Sequence, residues 1–428
     1  MKLRQRVRAV QTFVRQRREA LDFKAVRDPR ARRGRRWSAQ TLLSTTVMSL
    51  MILARSLRAA ERLSEDLAAG GRLKGLVRRV PDSTLGDFLA EVSPAPLRRH
   101  LREHILAEHR RKALEPTVLP IRAIAIDGKN VATLDHAANR DCQKQSGIDG
   151  QGPHYLYRVV NATLISAAAA VCIDQQPIPA ATNDMGVFPS FFAGLMSTYG
   201  RANLFDVATG DAGFCSEKNA RIVDKAGKGY WFSLKDNQPE LRREAERVLL
   251  AKAQQSAPEA QTDWESDSSR GWIRRQVWRT DEMAAWDKWT HLRQVVLVRV
   301  LVRDGRNGPE RVLEDRYYVT NLVRGRIDGA VMLRLVRAHW RIENDLHGAL
   351  DIQWQEDHGR WVQRGHGLPV TSLLRVLAYN LLSLMRAVHL RTVEARAATW
   401  DQLRNWVRDA MVWPDLRDDD QEALPARS

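Results

Sequence analysis

The chain has 428 residues, with 68 Lys and Arg against 51 Asp and Glu and a formal net charge of +17. That length predicts two or three domains with a full core, and an Arg-dominated excess of this size points to a polyanionic partner, nucleic acid before a merely basic surface. The three dispersed cysteines, Cys142, Cys172 and Cys215, exclude a zinc ribbon or disulfide framework and fit a reducing cytoplasm, and no apolar run reads as a signal peptide or a membrane span.

The first 40 residues carry fourteen Lys or Arg against Glu19, Asp22 and Asp28. Within them Arg32, Arg33, Arg35 and Arg36 precede an apolar stretch, Leu42 to Ala54, whose helical spacing predicts a core helix. Helices follow over Leu57 to Leu67, closed by Gly70-Gly71, from a cap at Asp82-Ser83, and over Pro94 to Glu108. This basic helical block, residues 1–117, is either a DNA-end-binding region or a helical dimerisation region.

At Pro120 the pattern changes. Ile121 to Ile126 is a strand ending in Asp127-Gly128, and Tyr155 to Leu164 and Ala167 to Ile173 are two more. A helix over Phe188 to Tyr199, a strand over Leu204 to Ala208 ending in Thr209-Gly210-Asp211, a helix over Ser216 to Lys225 and a strand over Gly229 to Leu234 complete the order of a ribonuclease-H-like α/β core with a mixed sheet and flanking helices. Residues 241–322 read as a β-rich insertion, with antiparallel segments at Gly271 to Trp278, Leu292 to Val302 and Arg316 to Thr320 and five tryptophans, 264, 272, 278, 286 and 289. A long helix, Asp328 to Leu350, and an apolar helix, Thr371 to Val388, return to the core. The core is thus expected over 118–240 and 323–400, with a polar tail over 401–428 that is acidic at Asp418, Asp419 and Asp420.

The chemistry rests on carboxylates. Asp127 and Asp211 each follow an apolar strand and adjoin a glycine, so on neighbouring strands they converge at one sheet edge. Glu343 falls on the stripe Met332, Val336, His339, Glu343, Leu346, Leu350 of the long helix. A carboxylate there needs a cation, either an arginine such as Arg334 or a metal shared with the two aspartates. Three such oxygen donors suit Mg²⁺, with Mn²⁺ able to substitute, and in-line attack on a phosphodiester. No Gly-x-Ser-x-Gly or Cys/His pairing competes. Asp206 is the alternative to Asp211. Glu356 and Asp357 fit either acids behind the metal ligands or a solvated loop. A tryptophan of the insertion could stack on a flipped base, or all could be core.

Ile126-Asp127-Gly128-Lys129, Thr209-Gly210-Asp211-Ala212-Gly213, Leu234-Lys235-Asp236-Asn237-Gln238-Pro239 and His339-Trp340-Arg341-Ile342-Glu343-Asn344-Asp345-Leu346-His347 resemble the motifs of bacterial DDE transposases of the insertion-sequence-four superfamily, closest to its subgroup with a His-Trp, Ile-Glu-Asn helix. The resemblance spans about residues 28 to 385. It implies the catalytic, metal-holding triad Asp127, Asp211 and Glu343, Mg²⁺ dependence, strand cleavage and strand transfer at the ends of a mobile element, and a homodimer on double-stranded DNA in the bacterial cytoplasm, associated with the nucleoid. Val336, His339 and Leu350 stand where the wider superfamily has Tyr, Arg and Lys, so DNA contact is expected instead from Lys129, Lys235, Asn237 and His347, together with the N-terminal arginines. The competing readings are a stand-alone metal-dependent DNA nuclease and an inactive DNA-binding relic of a transposon.

Overall fold

Runs of β-branched and aromatic residues set the strands, and caps and glycines set their ends. The computed structural model describes residues 3–33, 35–69, 75–147, 152–267, 270–305, 307–358 and 361–412. The Gly70-Gly71 stop and the acidic tail around Asp418 lie outside them. The strands are β1 Ala123–Leu134, β2 Cys142–Gln145, β3 His154–Leu164, β4 Cys172–Pro177, β5 Val207–Gly210, β6 Gly229–Leu234, β7 Ala260–Gln261, β8 Glu265–Asp267, β9 Gly271–Thr280, β10 Gln294–Arg303 and β11 Arg311–Thr320. The chain divides into two compact units, one of residues 1–108, 131–157 and 348–428, the other of residues 109–130 and 158–347.

In the second unit β4, β3, β1, β5 and β6 lie side by side in that order, with β5 parallel to both β1 and β6 and β4 antiparallel to β3. This is the strand order of a ribonuclease-H-like sheet, and the elements follow in the order read from the sequence. One expectation is corrected: β1 does not stop at Asp127 but continues to Leu134. Asp-Gly is a turn signal, yet hydrogen bonding to neighbouring strands outweighs a local preference of this size. The strand expected over Ala167 to Ile173 begins only at Cys172, because the alanine-rich stretch before it offers little β-branched surface.

The sheet's core face is aromatic. Phe188 and Phe192 of the helix Asp184–Tyr199 stack with ring centroids 5.5 Å apart, and Phe188 also meets Phe214 and Phe232. Each such side chain, fully buried, contributes about 1.5–3 kcal/mol.

The segment from 241 to 322 does not stand apart as a separate sheet. β9, β10 and β11 form an antiparallel meander, and β11 pairs with β6 through Tyr317↔Leu234 to Thr320↔Trp231. The exposed edge that β6 would otherwise leave is thereby satisfied. The helix Pro239–Gln255 packs against β9, β10 and β11.

The long helix expected over Asp328 to Leu350 is interrupted. An α-helix over Gly329–His339 gives way to a π-helical turn over Ile342–His347 before α geometry resumes at Gly348–Ile352.

The first unit is helical. Gly367–Leu384, buried along nearly its whole length, packs against Ala39–Met51 and Asp82–Glu91. It therefore groups with the N-terminal helices, not with the core expected over 323–400. Its partner is a matter of which apolar stripe meets which, and periodicity alone does not record that. With the turn that follows, Gly367–His389 is long and apolar enough to cross a membrane, but 94% of its most apolar window is buried inside the protein. Two amphipathic helices were not expected: Leu3–Gln16, within the basic N-terminus, and Trp400–Val412, in the stretch read as tail. They pack on each other, which gives each apolar stripe a partner. Pro81, not Asp82 or Ser83, precedes the helix Asp82–Glu91, whose first turn contains both.

Candidate active site

Pairing of Ile126 with Gly210 across parallel strands brings the next residues, Asp127 and Asp211, to equivalent positions at one place on the sheet. Asp211 leaves β5 and opens the 3-10 turn Ala212–Phe214, where the Phe214 amide donates to the Asp211 main-chain carbonyl at 3.2 Å and the Asp211 carboxylate makes no cap hydrogen bond. A Cβ on Gly213 would sit 3.1 Å from Asp211 Oδ1, so glycine leaves room beside that carboxylate. Glu343 comes from the π turn, a geometry that adds a residue to one helical turn and recurs at functional sites. Ile342 and Leu346 are buried while Glu343 is exposed, so the expected placement of Glu343 on the apolar side is corrected: the wider turn moves it to the rim. No ion pair reaches Glu343 or Asp211 among the described residues, and Arg334 is exposed.

The charges feel one another. Burial first, then Asp211 and Glu343, push the Asp127 carboxyl up to about 8. Burial and then Asp184 raise Asp211, against a lowering by Lys235, and burial and then Asp211 raise Glu343. Carboxylates that share a site and raise one another's affinity for protons attract cations. The donor set is oxygen only and fits a hard divalent ion.

A chain of buried amides and an imidazole holds Asp127. Gln175 Nε2 donates to Asn161 Oδ1 at 3.0 Å, and Asn161 Nδ2 donates to His347 Nε2 at 3.1 Å. An amide nitrogen can only donate, so Nε2 accepts and Nδ1 carries the hydrogen. Nδ1 lies 3.5 Å from Asp127 Oδ2. Burial, with Lys129 nearby, lowers His347 to about 3, so the ring is neutral.

A second histidine fixes the glutamate's helix. Thr209 Oγ1 lies 2.7 Å from His339 Nδ1 and 3.1 Å from Ile124 O. The hydroxyl donates to the carbonyl and accepts from the ring. Burial takes His339 down to about 4. Asp184 is a fourth acid at this place: both its oxygens accept from Arg158 Nη2, at 3.0 and 2.7 Å, and a Cβ on Gly128 would fall 2.0 Å from its Oδ1.

Asp211 and Glu343 border a pocket of about 280 Å³ lined also by Lys235, Arg242, Arg316, Tyr318 and Trp340. Trp340 is 37% exposed, with the Arg316 guanidinium 5.3 Å from its ring centre.

A family model described as the transposase DDE domain matches residues 119–381, more than half of the chain and inclusive of all three carboxylates. The chain belongs to the DDE transposase family. Two proteins of Escherichia coli (strain K12) are similar to this transposase-family chain: YbfL, and YhhI, whose name associates it with an H repeat and a transposase. Each is 25% identical over 271 residues, covering 61% of this chain and 64% of the relative, so the chain spans less than two thirds of these relatives' length. YncI of Escherichia coli O157:H7 is 36% identical over 67 residues, 16% of each chain. Among solved structures, a piggyBac transposase synaptic complex with hairpin DNA aligns over 87% of this chain and 70% of that one, at 8% identity and a TM-score of 0.41.

The remaining candidates of this DDE domain divide. Lys235 is exposed on the pocket wall, where a phosphate can reach it. Two expected DNA contacts are corrected by burial. Lys129 is 5% exposed and its Nζ donates to Asn130 O. His347 is buried against Asp127. Asn237 donates its amide to Ala212 O and Cys215 O at 2.8 and 2.9 Å, clasping the turn after Asp211. Arg32, Arg33, Arg35 and Arg36 are exposed in the first unit, where Arg35 donates to Ala31 O and Asp28 O.

Asp206 precedes β5 while Asp211 follows it, so the two lie at opposite strand ends. Glu356 is not in a solvated loop: it is buried in the first unit with Ser372 and Arg375. Of the insertion's tryptophans, Trp278 and Trp289 are core, at 4% and 5% exposure. The sequence reading missed Asn161, Asp184 and Arg158, and named Thr209 within its motif without giving it a role. Of the first three only Asp184 carried a signal, Asn183 as an N-cap followed by an acid.

Proposed function

We propose that this chain catalyses metal-dependent DNA strand cleavage and strand transfer at the ends of an insertion sequence, acting as a homodimer on two double-stranded ends in the bacterial cytoplasm. The observation that carries the reading is the placement of Asp127 beside Asp211 by the Ile126–Gly210 pairing and of Asp211 with Glu343 on one pocket, with no arginine paired to Asp211 or Glu343 among the described residues. These three would hold Mg²⁺, with Mn²⁺ able to substitute. When bound, such ions activate the attacking oxygen and neutralise the leaving one during in-line displacement.

The chain's own groups do the rest. The neutral His347 steadies Asp127 Oδ2, and the Gly128 amide donates to Oδ1 at 2.8 Å. The Thr209–His339 bond ties the glutamate's helix to the strand that ends in Asp211. Lys235, exposed on the pocket wall, offers a cation to a phosphate of the bound strand, while Arg242 and Arg316 of the same wall are paired with Glu246 and Glu314.

Asp127→Asn, Asp211→Asn and Glu343→Gln should each abolish Mg²⁺-dependent cleavage of element-end duplexes and retain DNA binding. Cleavage surviving in all three variants would end the proposal. Joining of a 3′-hydroxyl end to target DNA, read in the same reactions, separates a transposase from a stand-alone nuclease.

A further inference from the structure

Away from the pocket, on the β8–β9–β10 corner, two arginines share one indole. The Arg303 guanidinium lies 4.1 Å and that of Arg274 4.7 Å from the ring centre of Trp264, and Arg303 is also 6.0 Å from that of Trp272. The register explains the grouping. Arg303 pairs with Trp272, Leu301 with Arg274, and Ser266 with Trp272. Side chains alternate, so Trp264, Trp272, Arg274 and Arg303 all occupy one face of the sheet.

The other face holds Glu265, which pairs with Arg275 at 3.6 Å and with Arg337. On the arginines' own face Asp315 is committed to Arg299 through two bonds of 2.8 Å. No carboxylate pairs with Arg274 or Arg303 among the described residues, and the Nε atoms of both are buried without a hydrogen-bond partner. Stacking on tryptophan removes water from one side of a guanidinium, holds it rigid and leaves its edge for a planar or tetrahedral anion.

We propose that Arg274 and Arg303, held on Trp264, form a binding site for the phosphodiester backbone of duplex DNA, distinct from the carboxylate pocket. The proposal rests on the DNA-processing function above and adds a second place where the strand is held. It explains why two half-buried cations are placed together without a counter-ion. Backbone contact of this kind is independent of base sequence.

The test is binding of a fluorescein-labelled duplex to the full chain, by anisotropy in EDTA across a salt series, for the wild type, R274Q/R303Q and R274K/R303K. Each neutralised phosphate contributes about 0.9 to the slope of log K against log salt. The glutamine pair should lower that slope by roughly 2 and weaken binding on the order of tenfold near 0.1 M salt. The lysine pair, which keeps the charge, should retain the slope. An unchanged slope in a folded glutamine pair overturns the proposal. So does a lowered melting temperature with unaltered binding, which would make the stack packing alone. If the glutamine pair does not fold, R303Q alone is read, with a fall of about 1 expected and no fall overturning the site. A wild-type chain that binds no duplex overturns the proposed function as well, whereas wild-type binding with an unaltered slope in the variants overturns only this site.

Discussion

His347 presents Nδ1 to Asp127 Oδ2 at 3.5 Å because the amide nitrogen of Asn161, 3.1 Å away on the other side of the ring, can only donate. The tautomer of one residue is therefore decided by an amide on β3. Asn161→Asp puts an acceptor in place of the donor, draws the hydrogen to Nε2 and turns a lone pair toward Asp127. Outer partners of this kind typically change metal affinity by about 10–100-fold. Mg²⁺ titration of cleavage should show a loss of that order in Asn161→Asp, with duplex binding in EDTA unchanged. An unaltered Mg²⁺ requirement would mean that the tautomer does not matter.

Asp127 ties stability to pH. Its carboxyl is held near 8 in the folded chain against 3.8 ordinarily, through burial and then Asp211 and Glu343. Between those values the unfolded chain releases the proton and the folded chain keeps it. The contribution of Asp127 to stability in EDTA should therefore be fully present below the lower value, fall as pH rises through the window and level off above about 8. Asp127→Asn should flatten this slope, and Mg²⁺ should oppose it, most strongly at the upper end where no proton competes. Urea unfolding across pH, with and without metal, reads all three.

Thr209 serves two partners with one hydroxyl, Ile124 O and His339 Nδ1. Thr209→Val keeps the shape and strands a buried ring N–H. The expected cost is about 1–3 kcal/mol in urea unfolding, with a fall in cleavage rate because the glutamate's helix loses its tie to β5. Thr209→Ser should restore both. Equal behaviour of the valine and serine variants would show that the hydroxyl is idle.

In the first unit, Glu356 and Arg375 lie with side chains 0% and 3% exposed, Oε1 to Nη1 3.7 Å, and Ser372 donates to the same oxygen at 3.0 Å. Removing one partner leaves a buried charge, so Glu356→Ala should cost roughly 3–5 kcal/mol. Replacing both with Leu and Met should recover most of that loss. Chemical denaturation of the three variants decides it, and cleavage per folded molecule should not change.

Periodicity and charge by themselves determined that a helical, basic block precedes an α/β core, and which strands and helices build it and in what order; the triad Asp127, Asp211 and Glu343 was implied by the family resemblance. These are local properties: a six-residue apolar strand or a helix cap is written in adjacent residues. Tertiary structure decided the rest. Whether Asp127 ends its strand or lies within it depends on hydrogen bonds to segments far along the chain, and so does the joining of β11 to β6. The π turn that brings Glu343 out of the apolar stripe is a departure from the very period used to find it. The Asn161–His347 and Thr209–His339 bonds join residues 186 and 130 positions apart, and no spacing rule reaches that far. Burial explains the misjudged auxiliaries: Lys129 and His347 carry the right chemistry for phosphate, but only packing determines whether a side chain meets solvent or a neighbour.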